Sequence, residues 1–167
     1  YMSPRGRKLS QETAEELAGE GDLTILCGHY EGVDERALTE LSAEEISIGD
    51  YVLTGGELPA MVLVDAVARF IPGVLASDES VLEESIYSGL LEYPQYTRPR
   101  TMEEGNVPKV LLSGDLKRIE LWRFEQSMRI TKERRPDMWQ EFVEKFRADE
   151  KAYPKKERLL IESVIEN

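Results

Sequence analysis

Two glycine-bearing loops, Cys27 to Gly32 and Ile48 to Gly56, constrain this chain more than any other feature. The first follows Leu23-Thr24-Ile25-Leu26-Cys27, which reads as a buried strand stopped by Gly28. Asp34 is placed to cap a short helix through Leu41, and Ile46-Ser47-Ile48 and Tyr51-Val52-Leu53 are again strand-like. Upstream, Ser10 can cap a helix over Gln11 to Ala18, which Gly19 and Gly21 end. Strands alternating with helices predict an α/β domain.

Pro59 sits where a first helical residue belongs, and Ala60 to Ile71 is apolar on nearly every face except at Asp65 and Arg69. Such a helix is expected to be buried on several sides, under a partner subunit or under another segment of the same chain. After Pro72-Gly73 the composition changes, and the acidic, serine-rich stretch from Ala76 reads as a linker. Tyr93 to Pro99 reads as an extended loop, and Val110-Leu111-Leu112 is too short to establish a sheet. Asp115 caps a long helix through about Arg134, with Leu116, Ile119, Trp122 and Phe124 expected inward. Met138, Trp139, Phe142, Val143 and Phe146, then Leu159, Leu160, Ile161, Val164 and Ile165, continue at helical spacing. The expected organisation is an α/β domain over 1–75, a linker over 76–90 and a small helical domain over 91–167.

A chain of 167 residues with 41% hydrophobic content can bury a real core. Its one cysteine, Cys27, forms no intrachain disulfide, and its one histidine, His29, leaves no cluster for zinc, so no metal ligands are nominated. A reducing cytosol fits this best. The apolar run Met61 to Ala68 is interrupted by Asp65 and falls far short of a membrane span, so no membrane attachment is expected. A net charge of −12 argues against indiscriminate coating of nucleic acid while leaving room for a local basic site. Tyr1-Met2-Ser3-Pro4 reads like the interior of a protein, and the expectation is a piece of a longer chain.

Several residues can carry chemistry. In Cys27 to Gly32 a strand end meets two glycines and Tyr30, which suits close approach of backbone amides to a ligand, though an ordinary strand-to-helix turn has the same composition. Ile48 to Gly56 adds a second glycine-rich loop ahead of the apolar helix, without a Walker lysine or a Gly-x-Gly-x-x-Gly run. Arg69 either pairs with Asp65 four residues earlier or aims across a subunit interface at developing negative charge. Asp78, Glu79, Glu83 and Glu84 are either a solvated linker or the source of a general base. Lys117, Arg118, Arg123, Arg129, Lys132, Arg134 and Arg135 form a basic stretch opposed only by Glu120, Glu125 and Glu133. It is either a solvated helix face or, with Tyr96 and Arg98 as stacking and phosphate contacts, a nucleic-acid surface.

Taken together, Tyr1 to Arg7, Cys27 to Arg36 and Ser47 to Ala60 resemble the bacterial tRNA (guanine-N1)-methyltransferases of the TrmD family. The resemblance continues through Ala68 to Leu75, Tyr96 to Pro99, Val110 to Gly114, Trp122-Arg123 and Arg134 to Pro136, and so covers nearly the whole chain. It implies a SPOUT-class α/β domain with a trefoil knot, an exception to the rule against threaded chains, incomplete here at its N-terminus, followed by a small, mainly helical domain that binds tRNA. It implies bent S-adenosylmethionine held by three segments, with contacts at Tyr1, Pro4, Gly28, Tyr30, Glu31, Gly32, Ile48, Gly49, Tyr51, Leu53, Gly55 and Gly56. It further implies a cytoplasmic homodimer with its active site between subunits, magnesium, and methyl transfer to N1 of guanine at tRNA position 37, next to the anticodon. Loss of the N1 proton calls for a base. The matching position is Glu84, where family members carry aspartate, and Arg69 matches the catalytic arginine that faces guanine O6. Leu116 stands where many relatives carry histidine. The rival reading is a noncatalytic RNA-binding or dimerisation fragment.

Overall fold

The computed structural model describes residues 1–75, 89–103 and 105–166. The chain forms two compact units, Tyr1–Val81 and Leu82–Asn167.

The first unit mixes a small sheet with helices. Strand β1, Met2–Lys8, lies parallel to β2, Ile46–Ser47, with Arg7 opposite Ile46 and Lys8 opposite Ser47. Met2 also pairs with Ile46 across an irregularity, so the chain between them arches over the Glu45-Ile46 peptide. Gly6 makes that crossing possible, since a Cβ there would stand 2.2 Å from the Glu45 carbonyl carbon. The side chain of Arg5 ties the same crossing to Glu45 at 2.9 Å and to Glu35 at 3.1 Å.

Helix α1, Gln11–Ala18, starts where the Ser10 side chain accepts the Thr13 amide, and α2, Glu35–Glu40, starts where Asp34 accepts the Arg36 amide. Helix α3, Glu57–Ala68, begins two residues before Pro59 and has Gly56 at its N-cap with no side-chain cap. Met2, Ala14, Ile46, Leu63 and Val67 are buried together as the core.

Two expectations are corrected here. Leu23 to Cys27 joins no sheet, and its recorded backbone link to β1 is a bond from the Met2 amide to the Leu26 carbonyl at 3.1 Å. Leu23 is exposed and Ile25 only half-buried, so apolar composition alone did not make a strand. Tyr51 to Leu53 is likewise an exposed loop rather than a strand. Helix α3 buries Leu63 and Val67 but leaves Leu58, Met61, Val62 and Val64 exposed, so in this chain it packs through one face.

The second unit is mainly helical. A two-stranded antiparallel ribbon, β3 Thr101–Met102 with β4 Gly105–Asn106, precedes a 3₁₀ turn over Lys109–Leu112. Helices α4, Leu116–Arg134, α5, Pro136–Ala148, and α6, Lys155–Glu166, then enclose Met128, Phe142, Phe146, Ile161 and Val164. Leu90 is buried in the same cluster, although composition had placed it in the linker. Asp115 caps α4 as expected, but Leu116 is 73% exposed, and the inward face is set further along by Ser127, Met128 and Thr131. The Thr131 hydroxyl accepts the Leu91 amide at 2.7 Å and donates to the Ser127 carbonyl at 2.6 Å, which satisfies a buried polar group.

Candidate functional site

Three separated segments of the first unit converge on one cavity of about 220 Å³. Tyr1 to Pro4 form one wall, Gly28 to Gly32 the second, and Ile46 to Gly49 with Tyr51 to Gly56 the third. Every cofactor-contact residue named from the resemblance lies on this lining: Tyr1, Pro4, Gly28, Tyr30, Glu31, Gly32, Ile48, Gly49, Tyr51, Leu53, Gly55 and Gly56.

The local chemistry explains the convergence. The Ser47 hydroxyl donates to the Gly49 carbonyl at 3.0 Å and accepts the Gly49 amide at 3.1 Å, which turns the chain sharply after β2. Lys8 at the end of β1 holds Asp50 of the same loop at 2.6 Å. The Gly56 amide donates to the Gly28 carbonyl at 3.1 Å and joins the two glycine loops directly. A Cβ at Gly56 would stand 2.7 Å from Cys27 Cα, so only glycine admits this contact. At Gly28 a Cβ would come 2.9 Å from the Tyr1 hydroxyl, which closes the first and second walls against each other.

The His29 imidazole pairs with the Glu57 carboxylate at the start of α3, again bridging the two loops. The Glu57 carboxyl is held below the usual carboxylate range, first by a hydrogen bond from its own backbone amide and then by His29. Sequence reasoning had given His29 no partner. The signal was the pairing of a lone histidine with a first-turn glutamate, and only the fold brings residues so far apart in sequence together.

Tyr30, which lines the cavity, stands in the left-handed region with φ of 58° and is fully exposed within this chain. Met2, Ser3, His29, Ile46, Ser47, Val52, Thr54 and Pro59 complete the lining beyond the predicted cofactor contacts. The cradle is built from glycine backbone, with an apolar floor at Ile46, Ile48 and Pro59. Such a surface suits a flat, partly apolar ligand held by backbone amides and carbonyls.

Arg69, one of the two nominated catalytic residues, is not among the described residues that line this cavity. Arg69 is the half-buried C-cap residue of α3, at the end of the helix remote from Gly56 and the cavity. Glu84 lies outside the described residues, as do Asp78, Glu79 and Glu83. Among the described residues no group of three or more His, Cys, Asp or Glu is placed to hold a metal ion, and no helix is long and apolar enough to cross a membrane.

The basic stretch of α4 is partly consumed within its own unit. Arg129 pairs with Glu125 at 2.8 Å and Arg135 with Asp137 at 2.6 Å. Lys132 donates to the Val164 carbonyl at 2.7 Å near the end of α6 and lies over the Trp139 ring. These three cations serve the fold, while Lys117, Arg118, Arg123 and Arg134 form no ion pair with any described carboxylate.

The chain matches the family described as "tRNA (Guanine-1)-methyltransferase TrmD" over residues 1–141. It is 55% identical over 164 residues to a tRNA (guanine-N(1)-)-methyltransferase of Alkaliphilus oremlandii, a match covering 98% of this chain and 62% of the relative. It is 60% identical to the protein so named in Alkaliphilus metalliredigens over 83% of this chain and 56% of the relative. With that of Clostridioides difficile it shares 54% identity over 87% of this chain and 63% of the relative. The chain thus spans about three-fifths of the length of the curated relatives it matches.

Proposed function

The chain belongs to the tRNA (guanine-1)-methyltransferase TrmD family, and on that premise we propose that it is part of an enzyme that methylates N1 of guanine at tRNA position 37, next to the anticodon. One observation carries the reading: the three segments named from the resemblance, two of them glycine loops, close around one cavity. We assign that cavity to S-adenosylmethionine, and with it a SPOUT-type knotted domain, followed after a linker by the helical unit as a tRNA-binding part.

The cradle fits such a ligand. Added Cβ atoms at Gly28 and Gly56 would fill the space between the walls, and the apolar floor suits an adenine ring. Bound S-adenosylmethionine would supply an electrophilic methyl group. The chain's own residues must do the rest: orient the guanine, exclude water and take the N1 proton. Glu84 is the assigned proton acceptor, with a carboxylate one methylene further from the backbone than the family's aspartate. Arg69 is assigned to hold the negative charge that develops on guanine O6.

Because Arg69 lies at the far end of α3 from Gly56, the assignment calls for a second copy of the chain to bring an arginine to the cavity. The exposed stripe Leu58, Met61 and Val62, continuing from Tyr51, Val52 and Leu53 at the cavity, supports a homodimer through this face. Magnesium assistance and a cytoplasmic location are carried over from the family as part of the same proposal.

The test uses the full-length enzyme, labelled S-adenosylmethionine and tRNA transcripts carrying guanine or adenine at position 37. Labelling of the guanine transcript alone is expected, with transfer lost in Glu84→Ala and on chelation of magnesium. Equal labelling of both transcripts overturns the specificity, and full activity of the variant overturns Glu84 as the base.

A further inference from the structure

The helical unit holds a second concavity, of about 400 Å³, between the Tyr93 to Arg100 segment and the first turns of α4. Val107, Leu111 and Ile119 give it an apolar floor. Tyr96 stands on its wall, 47% exposed, braced by Trp122 with ring centroids 6.2 Å apart. The guanidinium of Arg123 lies 4.7 Å from the centre of the Tyr93 ring. Arg98, Arg100 and Arg123 all line the cleft, no aspartate or glutamate among the described residues does, and no described carboxylate pairs with any of the three.

In a chain of net charge −12, the three arginines gathered in one cleft beside a half-exposed aromatic ring give it a local positive charge. They also differ from Arg129, Lys132 and Arg135, which are spent on contacts within the unit. A flat aromatic face with guanidinium groups beside it matches a planar base with flanking phosphates. A base within a duplex has its faces covered by its neighbours, whereas an unpaired one offers a face to a ring.

We propose that this cleft binds a single unpaired nucleotide of an RNA strand, its base against Tyr96 and its flanking phosphates on Arg98, Arg100 and Arg123. This rests on the reading of the chain as part of a tRNA-modifying enzyme, and adds which surface of the helical unit takes the RNA and in what form.

The experiment measures tRNA binding by the full-length enzyme at several salt concentrations, alongside a single-stranded RNA and a duplex of equal length. Tyr96→Ala should weaken tRNA binding by about tenfold while Tyr96→Phe stays within about twofold of wild type. Arg98→Ala and Arg100→Ala should each flatten the salt dependence by about one counterion. Circular dichroism melts confirm that the helical unit stays folded in each variant. Wild-type affinity and salt slope in Tyr96→Ala and both arginine variants overturn the cleft, as does a preference for duplex over single strand. Methyl transfer by those same variants at saturating tRNA then shows that the enzymatic reading stands even though the cleft has failed. Conversely, absence of transfer from a wild-type enzyme that binds tRNA through Tyr96 overturns the enzymatic reading and leaves the cleft.

Discussion

The two units bury their apolar residues in opposite ways. In the helical unit Met128, Phe142, Phe146, Ile161 and Val164 are nearly inaccessible, and Trp139 and Tyr153 pack around Phe142 with ring centroids 5.6 and 6.2 Å away. In the first unit the core is thinner, and Leu41, Tyr51, Val52, Leu58, Met61, Val62 and Val64 remain exposed. Aromatic side chains make a core that one short chain can complete. Glycine loops and a one-faced helix make a surface that invites a ligand and a partner. The difference teaches that the helical unit completes its core from its own residues, whereas the first unit leaves apolar surface around its cavity.

The largest expected effect breaks the stable side of that contrast. Phe146→Ala removes a ring at the centre of the helical core and should cost about 3–5 kcal/mol, enough to melt that unit. Ligand binding by the first unit should survive, and denaturant titration followed by Trp122 and Trp139 fluorescence with parallel calorimetry checks both halves. Next, Met61→Asp places a charge on the exposed stripe of α3 and should weaken self-association by about a hundredfold without unfolding the chain. Sedimentation velocity reads this directly, and an unchanged association constant would remove the stripe from the interface.

Gly56→Ala should reduce affinity for S-adenosylmethionine by about tenfold, because its methyl group would push Cys27 away from the second loop. Calorimetry measures it, and wild-type affinity would show that the loops do not need to touch. The smallest effect concerns Asp137, whose carboxyl is lowered from 3.8 to about 2 by the Arg135 guanidinium. A depressed carboxyl stabilises above its unfolded value, and that contribution disappears as pH falls from about 4 to about 2. Asp137→Asn should flatten this part of the acid denaturation curve only slightly, since the pair is exposed.

Much of the fold was legible where the signal is local. Ser10, Asp34 and Asp115 each cap the helix their position announced. Two of the three segments of the candidate site were legible as well, because glycines mark close approach before the approaching partner is known, while Tyr1 to Pro4 was pointed to only by the family resemblance. The inward face of α4 was misjudged at Leu116, and Met128 was passed over, because helical spacing allows several apolar faces along nineteen residues and only the neighbours choose one. Which cations of the basic stretch stay available was not legible, since a count of cations does not say which of them α6 and the acids nearby have claimed.

The capped helix starts, the two-part organisation and the glycine loops were therefore determined by the sequence itself, because caps, periodicity and backbone freedom act within a few residues. The tertiary structure alone decided that Met2–Lys8 pairs with Ile46–Ser47, that Leu23 to Cys27 joins no ladder, and that His29 meets Glu57. Those contacts join residues more than twenty positions apart, and their free energy exists only once the intervening chain has folded to bring them together.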